Sequence, residues 1–585
     1  MNDLRVLARS EGAHPNPRPQ SPPRWRRVLL GVTGFLLLSL LLACQTSPPE
    51  TDANVRLSFV RSGVMVEGTL AQVELMANGL RIPAQRINLD PKADPKGPIK
   101  RQLMRMSWEP GQTYQVQLGT QTRTLVAPQR PAPYPLRVVP LKGDAEAASA
   151  ALPDCDLAFS PDGSRLAVGT LFGQLLVMET YSGQRLFDKI IAEGMVKRVA
   201  FSPDGQTLYA GEQSPDGNLY AFDVSSGKIR WQKRLADELE SARPPAKDDR
   251  YALYFLPGVF DLKVLQDGRV MVAGVHSWNV DGVQKNRSRL YLYAPDGSLQ
   301  WQFPEKSPLD GNILTFDVDD AGSRAVFSVS RSASTPAPAD GLAPGIYGVD
   351  LSAHKLTWHH IFPILAPHFR EVFVWEALSL SPDGQRAVVG LGDGRAAIFD
   401  ATVPGPDSRL ISEQSPGTPI DVSGVPINTP VSYAHASPRG LYFQTNNSNI
   451  PFGTEASSRT PPAPHPAARS LFALDMDGTL RWRYRGDFTP SGLWSSRSGD
   501  VLMMTTANAS NEPRTDRHGF VLLDARPEGP AVPEERLIYQ YLTEGPVFFH
   551  AALSPDGLTA AVVETPGRKE DNQTLYGHWQ LHVVE

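Results

Sequence analysis

Eight positions are picked out by one rule of spacing, and six of them carry polar side chains that could recognise a ligand. Each lies seven residues before the glycine of a turn such as Ser160-Pro161-Asp162-Gly163, and together they are Asp156, Arg198, Asp261, Thr315, Ala377, Tyr433, Gly492 and His550. Glu376, His435 and Trp494 stand next to members of this set. Carboxylates, a guanidinium, a phenol and imidazoles gathered at one mouth are equipped to bind a charged or peptide ligand. Such residues also solvate a channel and pair with one another, which is their commoner use. Other chemistry is poorly supplied. There is no H-E-x-x-H, C-x-x-C or G-x-S-x-G motif. Asp317-Val318-Asp319-Asp320-Ala321-Gly322 has the look of a calcium loop, but Ser328 stands where the closing glutamate belongs, so a hairpin is expected. His359 and His360 are adjacent on an expected strand and point to opposite faces, which spoils them as a chelate. Gly390-Leu391-Gly392-Asp393-Gly394 has Arg395 where a dinucleotide loop needs its last glycine, and it too reads as a turn.

The elements that must position these residues are strands. In 196–231 three apolar runs are separated by Ser-Pro-Asp-Gly, Pro-Asp-Gly and Ser-Ser-Gly-Lys, which is the grammar of hairpins. Proline presets one turn dihedral and glycine supplies the positive φ of the next position. The first strand and turn recur at 157–163, 199–205, 262–268, 316–322, 378–384, 434–440, 493–499 and 551–557. A period of about 54 residues with four strands per copy predicts an all-β chain, an eight-bladed β-propeller over 136–585. The last copy ends after its third strand, so the orphan strand 136–140 is expected to supply the missing outer strand and remove an open edge. Several short strands over 55–128 predict a small β-sandwich, followed by a proline-rich linker at 129–135.

Two further features carry resemblances. Ala221, Asp223, Gly227, Lys228 and Trp231 match a repeat of pyrroloquinoline-quinone-type (PQQ) propellers. Gly348, Asp350 and Trp358 keep that spacing with His354 in the glycine place, and 473–482 and 296–301 hold further versions. The chain from 136 on therefore resembles quinoprotein-like propellers with WD40-type hairpins, among them an outer-membrane-protein assembly lipoprotein that lacks the quinone. The 55–128 segment resembles immunoglobulin or fibronectin modules. At the start, Arg24-Trp25-Arg26-Arg27 precedes an apolar run ending Leu41-Leu42-Ala43-Cys44. This is similar to a bacterial lipoprotein signal, which implies removal of 1–43, lipid on Cys44 and a polar linker over 44–54. Gln45 in place of Asp resembles outer-membrane sorting in Gram-negative cells. Cys155 is then left without a partner, and a buried small hydrophobe is expected there.

Composition narrows the class of partner. With a net charge of -5 there is no basic excess to neutralise phosphates, so nucleic acid is not expected. Long insertions at 235–256, 275–289, 330–345, 363–374, 413–430, 446–469, 507–519 and 565–577 fall on one face of the expected ring, and shorter ones at 401–409 and 526–535 on the other. Variable loops on one rim of a rigid scaffold make a binding surface. The expected function is a lipid-anchored envelope scaffold with protein partners at the loop-rich face, membrane contact through the lipid and no cofactor. The alternative is an envelope oxidoreductase or hydrolase at the channel mouth, with PQQ and calcium implied only under that alternative.

Overall fold

A computed structural model describes residues 55–585 apart from 71–72, 78, 91–98, 151–154, 241–254, 281–282, 331–341, 366–372, 404–408, 423, 447–464, 488, 508–517, 549, 570 and 572. Cys44, the expected signal 1–43 and the linker 44–54 lie outside these residues, as does much of the long-insertion set.

From Asp156 onward the chain lays down antiparallel strands in simple up-and-down order. Separate four-stranded sheets span 156–190, 312–360, 373–414, 431–485 and 490–542, while 195–234 and 258–303 hold four strands each and are joined by the single pair Gln213↔Gly258. The final sheet combines Ala551–Leu553, Ala560–Glu564 and Gln580–Val584 with Pro135–Pro140, which pairs antiparallel to Gln580–Val584. Apolar clusters lie between successive sheets. Leu175, Val177 and Phe187 of the first meet Val199 and Phe222 of the next, and so on round to Val563 and Leu581 of the last, which meet Leu157, Leu166 and Leu176 of the first. The sheets thus close on themselves as a β-propeller.

The hairpin turns follow from residue chemistry. In Ser202-Pro203-Asp204-Gly205 the Gly205 N–H donates to the Ser202 carbonyl at 2.8 Å, and the Ser202 hydroxyl to Asp204 at 2.5 Å. Gly205 sits at φ 67°. His354 is in the same left-handed region at φ 53°, so the backbone keeps the glycine geometry of the repeat where the side chain does not. That histidine stacks on Trp301 of the preceding sheet, with ring centroids 5.9 Å apart. The repeat tryptophans fill the wedge between sheets. Trp231 lies 6.2 Å from Tyr293 and donates to the Pro295 carbonyl at 2.9 Å, and buried Trp358 stacks on Phe399 at 6.0 Å.

One stretch differs from its sequence description. The expected insertion at 275–289 is paired: Val270–Val280 and Val283–Tyr293 form one long hairpin that continues out of its sheet. At the end of the 129–135 segment, Tyr134 and Glu585 exchange backbone hydrogen bonds at 3.0 and 2.9 Å.

Ahead of the propeller, residues 56–126 form two antiparallel sheets, one of Arg56–Val60, Gly63–Leu70, Gln85–Asn88 and Ile99–Arg105, the other of Val73–Ala77, Leu80–Arg81, Thr113–Leu118 and Gln121–Val126. Phe59, Val64, Val66, Leu75, Met104 and Val116 pack between them. Alternate residues of the first sheet, Val60, Met65 and Leu103, point the other way and join the core of the propeller's closing sheets. A strand buried on both faces needs an unbroken apolar run, and Val64-Met65-Val66 is one. Polar links reinforce the contact. Asp90 pairs with Arg101 at 2.9 Å and with Arg137 at 3.6 Å, and the Arg61 guanidinium donates to the Gly557 carbonyl.

Candidate functional site: the propeller axis

The innermost strands present their polar side chains to one another around the axis. Asp156 accepts from its neighbour Leu157 N–H at 3.0 Å and from Val199 N–H of the next sheet at 2.8 Å. Asp261 does the same for Leu262 N–H at 2.9 Å and Phe316 N–H at 3.1 Å, and takes the Thr315 hydroxyl at 3.2 Å. Asp317 receives Val318 N–H, Leu380 N–H and the Ser379 hydroxyl at 3.0, 2.9 and 2.8 Å. A carboxylate suits this place because it accepts from its own strand and from the neighbour at once. Ser379 passes the linkage on by accepting from Ala436 N–H at 3.2 Å.

The remaining joints use other side chains. The Tyr433 hydroxyl donates to the Ser491 carbonyl at 2.6 Å, His435 Nε2 shares a hydrogen bond with Ser495 Oγ at 2.8 Å, and Ser491 Oγ donates to the Val547 carbonyl at 2.7 Å. Cys155 N–H donates to the ring of buried His550, 3.0 Å from Nδ1, tying the last sheet to the first. Lys197 Nζ lies 4.2 Å from the centre of the Phe260 ring and links the 195–234 and 258–303 strands. The Cys155 side chain is buried and, among the described residues, forms no disulfide.

Among the described residues of the innermost strands, two ion pairs lie near the axis. Arg198 reaches Glu376 at 3.6 Å, and their sheets are not neighbours in the ring, so this contact crosses the axis. Lys263 lies 3.5 Å from Asp317. Glu376 sits at φ 63°, a left-handed conformation that costs a non-glycine residue about 1–2 kcal/mol. The Asp317 carboxylate, ahead of the cost of burial, pushes the Lys263 ammonium above its ordinary range. The Lys263 side chain keeps 47 % of its accessibility beside Asp317. Burial drives the Tyr433 phenol well up, with Glu376 adding to it, and holds His435 down to about 4.

The positions selected from sequence therefore divide. Arg198 and Glu376 meet across the axis. Asp156, Asp261, Tyr433, His435 and His550 are joints between neighbouring sheets. Trp494 packs in the core behind the strand and lies over Gly492, where an added Cβ would stand 2.2 Å from the indole. Lys263, Asp317, Lys197, Ser379 and Ser495 were missed. For Lys263, Asp317 and Ser379, two residues after Asp261, Thr315 and Ala377, the signal is the alternation of the first strand, which turns residues two apart toward the same side, whereas Lys197 and Ser495 fall off that spacing. Asp317–Gly322 is a hairpin, with Gly322 N–H donating to the Asp319 carbonyl at 2.9 Å. His359 stacks on Tyr347, and His360 meets Phe362 edge-on. Among the described residues no group of three or more His, Cys, Asp or Glu is placed to hold a metal ion.

No protein-family model matches the chain, and no curated protein matches it. Solved structures do. The Dos1 propeller is 15% identical, matched over 60% of this chain and 75% of that one with a TM-score of 0.39. The C-terminal WD40 domain of Sif2 is 12% identical, over 77% of this chain and 97% of that one, with a TM-score of 0.45.

Proposed function

We propose that this chain is a lipid-anchored scaffold of the cell envelope, exported on a signal over 1–43, lipidated on Cys44 and carried to the outer membrane if the cell is Gram-negative. Its strands are read as an eight-bladed propeller behind an immunoglobulin- or fibronectin-like sandwich. The loop-rich face takes one or more protein partners. The supporting observation is that the polar side chains at the axis are engaged with one another. Asp156, Asp261, Asp317, Tyr433 and His550 hold neighbouring sheets together, and Arg198 is paired with Glu376. Recognition is left to the connections between second and third strands, where the long 270–293 hairpin also projects. No cofactor is needed for that role.

One contact favours a second reading, a hydrolase at the channel mouth. Ser495 Oγ and His435 Nε2 are 2.8 Å apart, the distance of a nucleophile from its base. A histidine held near 4 is a weak base at neutral pH, which counts against it. Under the oxidoreductase form of this reading the cofactors would be PQQ and calcium.

Crosslinking the anchored protein in cells, with and without removal of 446–469, tests the scaffold. Loss of crosslinked partners with the fold intact supports it. Stoichiometric quinone binding with turnover, or ester hydrolysis abolished by Ser495→Ala, sinks it. Cys44→Ser is expected to move the protein from the membrane to the soluble fraction, and retention in the membrane would remove the anchor from the proposal.

A further inference from the structure

The insertion at 526–535 lies on the rim opposite the long loops, and the scaffold reading leaves it without a use. It ends in a single 3-10 turn, Pro533–Arg536, which delivers Arg536 into the wedge between the 431–485 and 490–542 sheets. There the Arg536 guanidinium lies 4.9 Å from the centre of the Trp482 ring, and Trp482 lies 6.3 Å from Tyr442. Arg481, the bulged residue between Leu480 and Trp482, completes the group. Gly440 leaves it room, since a Cβ there would stand 2.1 Å from Arg481 Nη2.

What sets this wedge apart is a surplus of donors. Six buried polar atoms have no hydrogen-bond partner among the described residues: Tyr442 Oη, Trp482 Nε1, Arg536 Nε and all three nitrogens of Arg481. Tyr442, Arg536 and Trp482 are 0, 4 and 5 % exposed. Arginine and indole nitrogens can only donate, so among these side chains the Tyr442 oxygen is the one acceptor set against five donor nitrogens. The neighbouring acceptors are committed elsewhere or badly aimed. Arg536 uses its other nitrogens on the Asp524, Arg526 and Gly529 carbonyls. The Asp524 carboxylate is held by Arg526 at 2.6 Å. Asp475 stands 3.2 Å from Arg481 as an ion pair without hydrogen-bond geometry, and its side chain is 53 % accessible. Ser437 and Arg481 lie beside the Tyr442 hydroxyl but do not satisfy it.

We propose that the wedge formed by Tyr442, Arg481, Trp482 and Arg536 binds a small tetrahedral oxyanion of the phosphate or sulfate class. Such an ion accepts from several donors at once and adds negative charge beside two guanidiniums packed in one wedge. The donor atoms have almost no access to solvent, which restricts the proposal to a free ion and not a bulky ester. Arg481, whose side chain keeps 13 % accessibility, is the group that must move to admit it.

The test uses the full-length protein in detergent. Thermal denaturation is followed against sodium phosphate, sodium sulfate, glycerol 3-phosphate and sodium chloride at matched ionic strength. Phosphate or sulfate is expected to raise Tm saturably, and chloride is not. Arg481→Gln is expected to abolish the rise. Tyr442→Phe and Trp482→Phe each delete one donor and keep a ring, and each is expected to weaken half-saturation about tenfold. They serve as the test if Arg481→Gln does not fold. Equal behaviour of phosphate, sulfate and chloride overturns the site, as does a rise unchanged in Tyr442→Phe and Trp482→Phe. A response to glycerol 3-phosphate alone overturns the assignment to a free ion.

Discussion

At the scale of single residues, the carboxylates on the innermost strands behave as mortise joints. Asp317 accepts two hydrogen bonds from the next sheet and neutralises Lys263. Asp317→Ala strands a backbone N–H, a hydroxyl and a cation together, and an order-of-magnitude loss of about 2–4 kcal/mol is expected in chemical denaturation. Asp317→Asn keeps one oxygen for the backbone and is expected to lose less. His435 gives a pH signature. The unfolded chain takes up this proton near the ordinary value of 6.5, whereas the folded chain resists until about 4. The unfolded state therefore binds more protons in that window, and stability present above pH 6.5 is lost as pH falls toward 4. The groups facing the imidazole are Ser495, Asp317, Lys263 and Tyr442. His435→Gln is expected to flatten the denaturation midpoint across that window, and an unchanged slope would remove the assignment.

At the scale of elements, the turns and wedge tryptophans were legible because their causes are local. Ser202 and Asp204 cap their own hairpin, and His354 takes up a glycine's backbone geometry because the turn has the same length. The tryptophans are expected to matter in proportion to burial. Trp358→Ala, at 3 % exposure, should cost about 3–5 kcal/mol and be seen as a lowered Tm. Trp301→Ala, at a partly exposed site, should cost less. The 270–293 hairpin was not legible as paired strand. Its outer half, His276-Ser277-Trp278-Asn279, mixes polar and aromatic residues as a loop does, and its order comes from contacts outside the hairpin. His276 Nδ1 meets the Leu239 carbonyl at 2.7 Å and Arg287 pairs with Glu240 at 2.7 Å.

At the scale of the whole molecule, the two sheets of 56–126 and the propeller share a core through Val60, Met65, Leu89 and Leu103. One cooperative unfolding transition is therefore expected by calorimetry, where a tethered domain would give two. Leu103→Ala should lower that single transition by about 2–5 kcal/mol. A separate early transition in the variant would show that the shared core does not couple the parts.

The residues by themselves determined what depends on neighbours along the chain. The Ser-Pro-Asp-Gly turns and the period of the strands follow from dihedral preferences and alternation. An apolar run such as Val64-Met65-Val66 marks a strand covered on both faces, although it does not say by what. Only the tertiary structure decided which polar residues meet. Arg198 and Glu376 are separated by 178 positions and become partners because ring closure turns their strands toward one axis. Whether a carboxylate at the mouth binds a ligand or a backbone N–H depends on how far away the next sheet stands. That distance is set by the side chains packed between the sheets, and no spacing within one copy of the repeat contains it.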